Sequence, residues 1–374
     1  MEDNCKIIEI DLKKLNKTIR EIDVKDFDKL RIRRHQFPLV DGEICSTNKA
    51  IDTLKFPITV PDMIQKLKTE YNIRFFPEEV SLAEDFFSQT NYYRFSIFMK
   101  FIEFECHFTD LLQIYEFDTF LRDNLLSLIN TIEIYIKTTL AYTLSNSYSD
   151  IIELLGKQGH DIHPSLVYLD NRIYKSAAIT SGDIEFMLSD IAGDMYARKD
   201  GDLMIQHHMS KYGGYFPFWV IIEQMTLGKV STLIMHLERK VRKYWSDLNF
   251  IDVGPKDIPS WINAVLILRN ICAHGGRLYG RRFTYSPAIR KNDKIYFDNQ
   301  QIKDEDRYTT LFSGLLVMKN IYSSLSDKDI QIWEEFLDML EDQISERRLV
   351  SLKRMGFHTH WKSALSILNC SDTK

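Results

Sequence analysis

The chain has 374 residues, 44% of them hydrophobic and 27% charged, the proportions of a folded globular protein with material for one large or two to three ordinary domains. A formal charge of −5 provides no global basic field, so any contact with nucleic acid has to come from local patches. Cys5, Cys45, Cys106, Cys272 and Cys370 are odd in number, scattered and never spaced C-x-x-C, which argues for reduced thiols in a cytoplasmic protein and against structural zinc.

The first residues carry no apolar signal-peptide core, and no apolar run approaches the ~20 residues that span a bilayer, so no membrane partner is expected. Residues 1–55 read as an N-terminal extension with a short alternating strand, IIEIDL, and a basic stretch, KLRIRRHQF. Beyond it Gly and Pro are few and 3.6-residue periodicity dominates, which predicts an all-α fold.

A helical region is expected over 56–115. Thr59 is its first N-cap, with Pro61 in the first turn and Met63, Ile64 and Leu67 at helical spacing. One or two further helices cover PEEVSLAEDFFSQTNYYRFSIFMKFIEF. A core over 116–346 begins with a long amphipathic helix whose Leu121, Leu125, Leu128 and Ile132 line one face. Residues 155–170 read as a loop, followed by two helices and the turn in KYGGYFPF. The segment FWVIIEQMTLGKVSTLIMHLERKVRKYW reads as helical with a kink at Gly228, and SPAIRKNDKIYFDNQQI as a small hairpin. Two more helices lie in TTLFSGLLVMKNIYSSL and DKDIQIWEEFLDMLEDQI, before a C-terminal segment over 347–374.

Residues 261–282, WINAVLILRNICAHGGRLYGRR, start as an apolar helix and turn abruptly polar. At about 100° per residue, Arg269, Asn270 and His274 fall at roughly 0°, 100° and 140°, within one polar arc. Gly275-Gly276 then ends the helix. Geometry alone leaves two readings open: a helix terminus whose His and Arg offset the macrodipole, or an active site.

The stretch LRNICAHGGRLYGRR resembles the Arg-Asn-x-x-x-His core of HEPN-type ribonuclease domains, in particular those of the abortive-infection (Abi) family of bacterial anti-phage proteins. Four other blocks resemble that family in matching order: TNYYRFSIFMKF (90–101), FLRDNLLSLINTIEIYIKTTLAYTLS (120–145), PFWVIIEQMTLGKVSTL (217–233) and RMGFHTHW (354–361). The first 55 residues and the histidines of FHTH depart from the pattern. The resemblance implies a HEPN-like helical bundle and a metal-independent endoribonuclease without cofactor, working as a homodimer in which two motifs face each other. It also implies RNA as substrate and a bound structured non-coding RNA as regulator.

Such chemistry uses the RNA 2′-OH as internal nucleophile. Imidazole exchanges protons near neutral pH, so His274 is the expected general acid/base. Arg269 offers a planar fork for phosphate charge, and Asn270 an orienting amide. Glu133 and Lys137, at i and i+4, read either as an intrahelical ion pair or, by the resemblance, as support behind the site. Arg277, Tyr279, Arg281 and Arg282 read either as a solvated basic loop or as RNA contacts, phosphate-binding and base-stacking. The rival functional class is a non-catalytic RNA-binding or sensor protein on the same scaffold.

The runs ERKVRKYW (238–245) and RRLVSLKR (347–354) are weaker candidates of the same kind. The triplet Tyr92-Tyr93-Arg94 reads as core aromatics or as a further nucleic-acid contact. His160-Asp161, His207-His208 and His358-x-His360 lack the further ligands of a dedicated metal site, and no phosphate-binding glycine loop is present.

Overall fold

A computed structural model describes residues 57–102, 105–254, 256–299 and 305–368, and the expected strand in IIEIDL lies outside them. The described residues from Thr59 onward belong to one compact unit. Among them the fold is all-α: only two isolated bridges, Arg74 with His107 and Tyr174 with Leu237, pair extended backbone.

Helix α1 (Val60–Glu70) starts at Thr59, whose side chain accepts from the Asp62 amide while Asp62 reaches back to Thr59, a capping box. Helices α2 (Pro77–Gln89) and α3 (Tyr92–Ser96) follow, and α3 runs on as a 3₁₀ turn over Ile97–Phe101. Their aromatic side chains pack on the start of α4 (Phe108–Asn146), with Phe86, Phe87 and Phe95 around Phe108 at centroid distances of 5.5–6.2 Å. The buried Glu79 of α2 closes the same junction. It accepts from the Thr109 amide at 3.0 Å, the Thr109 hydroxyl at 2.5 Å and the Phe76 amide at 2.7 Å.

Helix α4 is the spine. Its 39 residues span about 58 Å. Leu121, Leu125, Leu128, Ile132, Ile136, Leu140 and Leu144 recur at three or four residues and are all buried. Helix α5 (Tyr148–Leu155) ends at Gly156 in the left-handed region, and the expected loop contains a 3₁₀ segment at Pro164–Leu169. Arg172 pins this region, donating to Tyr148 Oη at 2.8 Å, Asp170 at 2.7 Å and Asp161 at 3.0 Å. His160-Asp161 therefore has a structural partner. Next come α6 (Ser176–Thr180), α7 (Asp183–Ala197) and α8 (Leu203–Tyr212).

The helix expected to kink at Gly228 is in fact three pieces: α9 (Phe218–Ile221), α10 (Leu227–His236) and α11 (Arg239–Asn249). The break precedes Gly228, because the Thr226 hydroxyl accepts from the Lys229 amide and starts a new helix there. Helix α12 (Asp257–Ala273) packs on α4, on α10 and on the later helix Leu311–Tyr322. The expected hairpin after it is instead helix α13 (Lys291–Asn299). Helical spacing places both Asp293 and Phe297 inward, where Asp293 accepts from Asn320 at 2.9 Å.

Helix α14 (Leu311–Tyr322) is buried along nearly its whole length, and α15 (Asp327–Ser345) and α16 (Trp361–Leu365) cover it. The indole N–H groups of Trp245, Trp261 and Trp333 each reach an oxygen, on Thr139, Ala288 and Leu365 respectively.

Candidate active site

Helix α12 carries two faces. Trp261, Ile262, Val265, Leu268, Ile271 and Cys272 are buried, and burial pushes the Cys272 thiol up to about 12, which makes it a packing residue rather than a nucleophile. Asn270 and His274 are exposed and Arg269 is half-buried, so the three share the solvent-facing arc that the spacing predicts. The Arg269 guanidinium donates to Asn270 Oδ1 at 3.4 Å. No hydrogen bond to the His274 ring comes from any described residue.

The end of α12 is a Schellman motif. Gly275 (φ +63°) donates to Cys272 O at 3.0 Å, and Gly276 donates to Ile271 O at 2.7 Å. Arg94, in the middle of α3 and 180 positions away in sequence, donates from Nη2 to the His274 carbonyl at 3.2 Å. A cation at the negative end of the macrodipole stabilises that terminus. The same guanidinium lies so close to Gly275 that a Cβ there would stand 2.7 Å from Nη2. Sequence reading left Arg94 between core and nucleic-acid contact; the structure places it against the motif's last residue.

The chain beyond the motif is held by Asp118 of α4, which is fully buried. One carboxylate oxygen accepts from the amides of Leu278 at 2.8 Å and Tyr279 at 2.6 Å, and the other pairs with Arg122. Burial pushes the Asp118 carboxyl above its ordinary range, against the opposing pull of these amides and of Arg122. Nothing in the sequence singles out Asp118, since one acid in a long helix carries no signature.

Tyr279 is not a stacking platform. It is fully buried, edge-on to Phe101 and Phe117, and its hydroxyl accepts from the Ser351 amide at 2.8 Å. The segment turns inward here because Asp118 captures its backbone and the aromatic ring fills the space beside α4. Arg277 is half-buried too: its guanidinium lies 4.9 Å from the Phe101 ring centroid and donates to the Tyr279 carbonyl. Arg281 reaches the Arg277 carbonyl at 3.5 Å, and Arg282 is exposed.

Glu133 and Lys137 form their ion pair at 2.9 Å, with Lys137 buried. Asp118 and Arg122 are level with the C-terminal end of α12, whereas Thr139 and Thr143 meet Trp245 and Asn249 of α11. Glu133 is thus eleven residues, about 16 Å, along α4 from Arg122.

Among the described residues no three His, Cys, Asp or Glu side chains converge as a metal site, and no helix is long and apolar enough to cross a membrane.

A family model described as Abi-like protein matches residues 85–280, just over half of the chain. The chain belongs to this Abi-like family. The matched span runs from α2 through the whole of α12 to Gly280, so Arg94, Asp118 and the Arg269–His274 arc all fall inside it. The family points to abortive infection as the biological setting of this Abi-like protein. No curated protein and no solved structure was found to match.

Proposed function

We propose that this Abi-like protein is a cytoplasmic, metal-independent endoribonuclease of HEPN type that acts in abortive infection. The observation that carries the reading is the solvent-facing Arg269–Asn270–His274 arc on a helix whose opposite face is buried, with the backbone of its last residue held by Arg94. In the proposed step the 2′-oxygen attacks the adjacent phosphorus and the P–O5′ bond breaks. A 2′,3′-cyclic phosphate and a 5′-hydroxyl result, while one proton leaves the 2′-OH and one reaches the 5′-oxygen.

Proton removal and donation occur on opposite sides of the phosphorus, and each arc contains one imidazole. A homodimer with two facing arcs supplies a base and an acid, while Arg269 meets the phosphate charge and Asn270 orients the imidazole or a phosphate oxygen. A bound structured RNA is the proposed regulator. The unpartnered His274 ring supports the second reading, a non-catalytic RNA-binding scaffold.

The test is incubation of the purified protein with total cellular RNA and with tRNA in EDTA, followed by end-group analysis. The expected result is cyclic-phosphate ends that disappear in His274→Ala and fall at least about 100-fold in Arg269→Ala. Equal cleavage and equal toxicity on expression for both variants would refute the assignment.

A further inference from the structure

The basic runs 277–282 and 347–354 lie far apart in a chain of net charge −5, yet the fold brings them together around Phe101. Arg277 and Arg354 both stack over the Phe101 ring, at 4.9 and 5.2 Å from its centroid. The two segments are tied through the buried Tyr279, whose hydroxyl accepts from the Ser351 amide and lies 3.4 Å from the Leu349 carbonyl. Beside the Phe101 ring, between the end of the 3₁₀ turn and the segment 348–354, opens a cavity of about 180 Å³ lined by Phe101, Ile102, Arg348, Leu349, Ser351 and Arg354. Arg348 stands two-thirds exposed at its mouth, within 3.4 Å of Asp110, an ion pair of the weak, solvent-screened kind that yields readily to a phosphate.

Phe101 joins this cavity to Gly280, six residues beyond His274. Helix α3 carries Arg94 to the His274 carbonyl, and its 3₁₀ continuation ends with Phe101, whose ring comes within 2.8 Å of an ideal Cβ at Gly280. Arg94 and Phe101 are seven residues apart, about 12 Å along the helix. A cavity lined by guanidinium groups suits the phosphodiester backbone, and the span of about 12 Å from the Arg94 contact is that of a few nucleotides of strand.

We propose that the Phe101–Arg348–Arg354 cavity is a second RNA-binding subsite, which grips the backbone of a single strand whose scissile phosphate lies at Arg269 and His274. This rests on the reading of the chain as an RNA-cleaving protein. The subsite holds the strand in register and takes no part in the bond exchange.

The probe is a fluorescein-labelled 12-nucleotide oligouridylate with 2′-O-methyl groups, which lacks the nucleophile and is bound without being cut. Anisotropy titrations in EDTA at several salt concentrations are run for wild type, Arg348→Glu, Arg348→Gln/Arg354→Gln and Lys328→Gln. Arg348 is exposed, so its single variant reports binding even if the double variant folds poorly. The double variant is expected to bind roughly tenfold more weakly, with the slope of log affinity against log salt falling by about 1.4 for two lost phosphate contacts. Lys328→Gln, which removes an exposed cation outside the cavity, is expected to bind like wild type. Affinities and slopes within twofold of wild type for both arginine variants, or no binding of the probe by wild type, would overturn the subsite. Arginine-dependent binding by a wild type that cuts no RNA would sustain the subsite and sink the ribonuclease reading instead.

Discussion

Removing the Asp118 carboxylate tests whether the segment after the motif is held in place from within. Asp118→Ala strips two buried amides, those of Leu278 and Tyr279, of their acceptor and leaves Arg122 without its partner. Hydrogen bonds to a charged group contribute ~1.5–3 kcal/mol each, and breaking one side of a buried ion pair costs about 3–5 kcal/mol, so both routes converge on a loss of roughly 3–5 kcal/mol. Asp118→Asn keeps one acceptor oxygen for both amides and loses only the charge, so roughly half that loss is expected. Asp123→Ala, an exposed acid on the next turn, is the control and should stay within about 0.5 kcal/mol of wild type. Urea unfolding followed by the fluorescence of the buried Trp245, Trp261 and Trp333 measures all three. If Asp118→Ala lies within about 1 kcal/mol of the Asp123 control, Asp118 is not what anchors this segment and the argument fails.

Gly275→Ala places a Cβ at φ +63° and 2.7 Å from the Arg94 guanidinium, so a loss of about 1–2 kcal/mol is expected. Part of that loss should be recovered in an Arg94→Ala background, and strictly additive unfolding energies would dismiss the contact. Glu79 provides the pH dependence: burial opposes its charge, but bonds from Thr109 and Phe76 prevail and hold its carboxyl below the ordinary value. Its stabilisation is therefore complete above the unfolded value near 4.3 and is lost as pH falls through the folded one, so Glu79→Gln should lower stability at neutral pH yet flatten its decline between about pH 5 and pH 3. A variant that melts in parallel with wild type across that range would argue against this role.

The sequence carries α1, the spine α4 and the polar arc of α12 plainly, because each is written in local terms: a capping box, an i/i+4 apolar stripe, and three side chains on one helical face. What it hides is whatever depends on a distant partner. Lys291–Asn299 alternates well enough to suggest strands, but burying Asp293 and Phe297 on one side beside Asn320 of α14 decides for a helix. Tyr279 sits among arginines and reads as exposed until Asp118, 161 residues earlier, pulls its amide inward. Arg94 follows the same logic. Its spacing within α3 says only that it lies near the surface, and its partner is a carbonyl that exists only once α12 has ended at Gly275. Glu133 and Lys137 are the local case again: their i/i+4 spacing yields the ion pair, but no spacing within one helix reports how far along α4 the motif crosses.

The three supports around the motif act on backbone, not on the side chains expected to do chemistry. The Schellman bonds fix Gly275 and Gly276, Arg94 fixes the His274 carbonyl, and Asp118 fixes Leu278 and Tyr279. The His274 imidazole, by contrast, is turned to solvent with no described group holding its tautomer or its plane. An imidazole serves as a general base when a second group orients it, and within one copy Asn270 is one turn away but engaged with Arg269. On the proposed reading the missing constraint has to come from outside the chain, either from a second arc across a dimer interface or from the RNA itself. On that same proposed reading, a single copy holds the backbone of the arc in place and leaves the histidine unoriented, and strand or partner is what would orient it as a base.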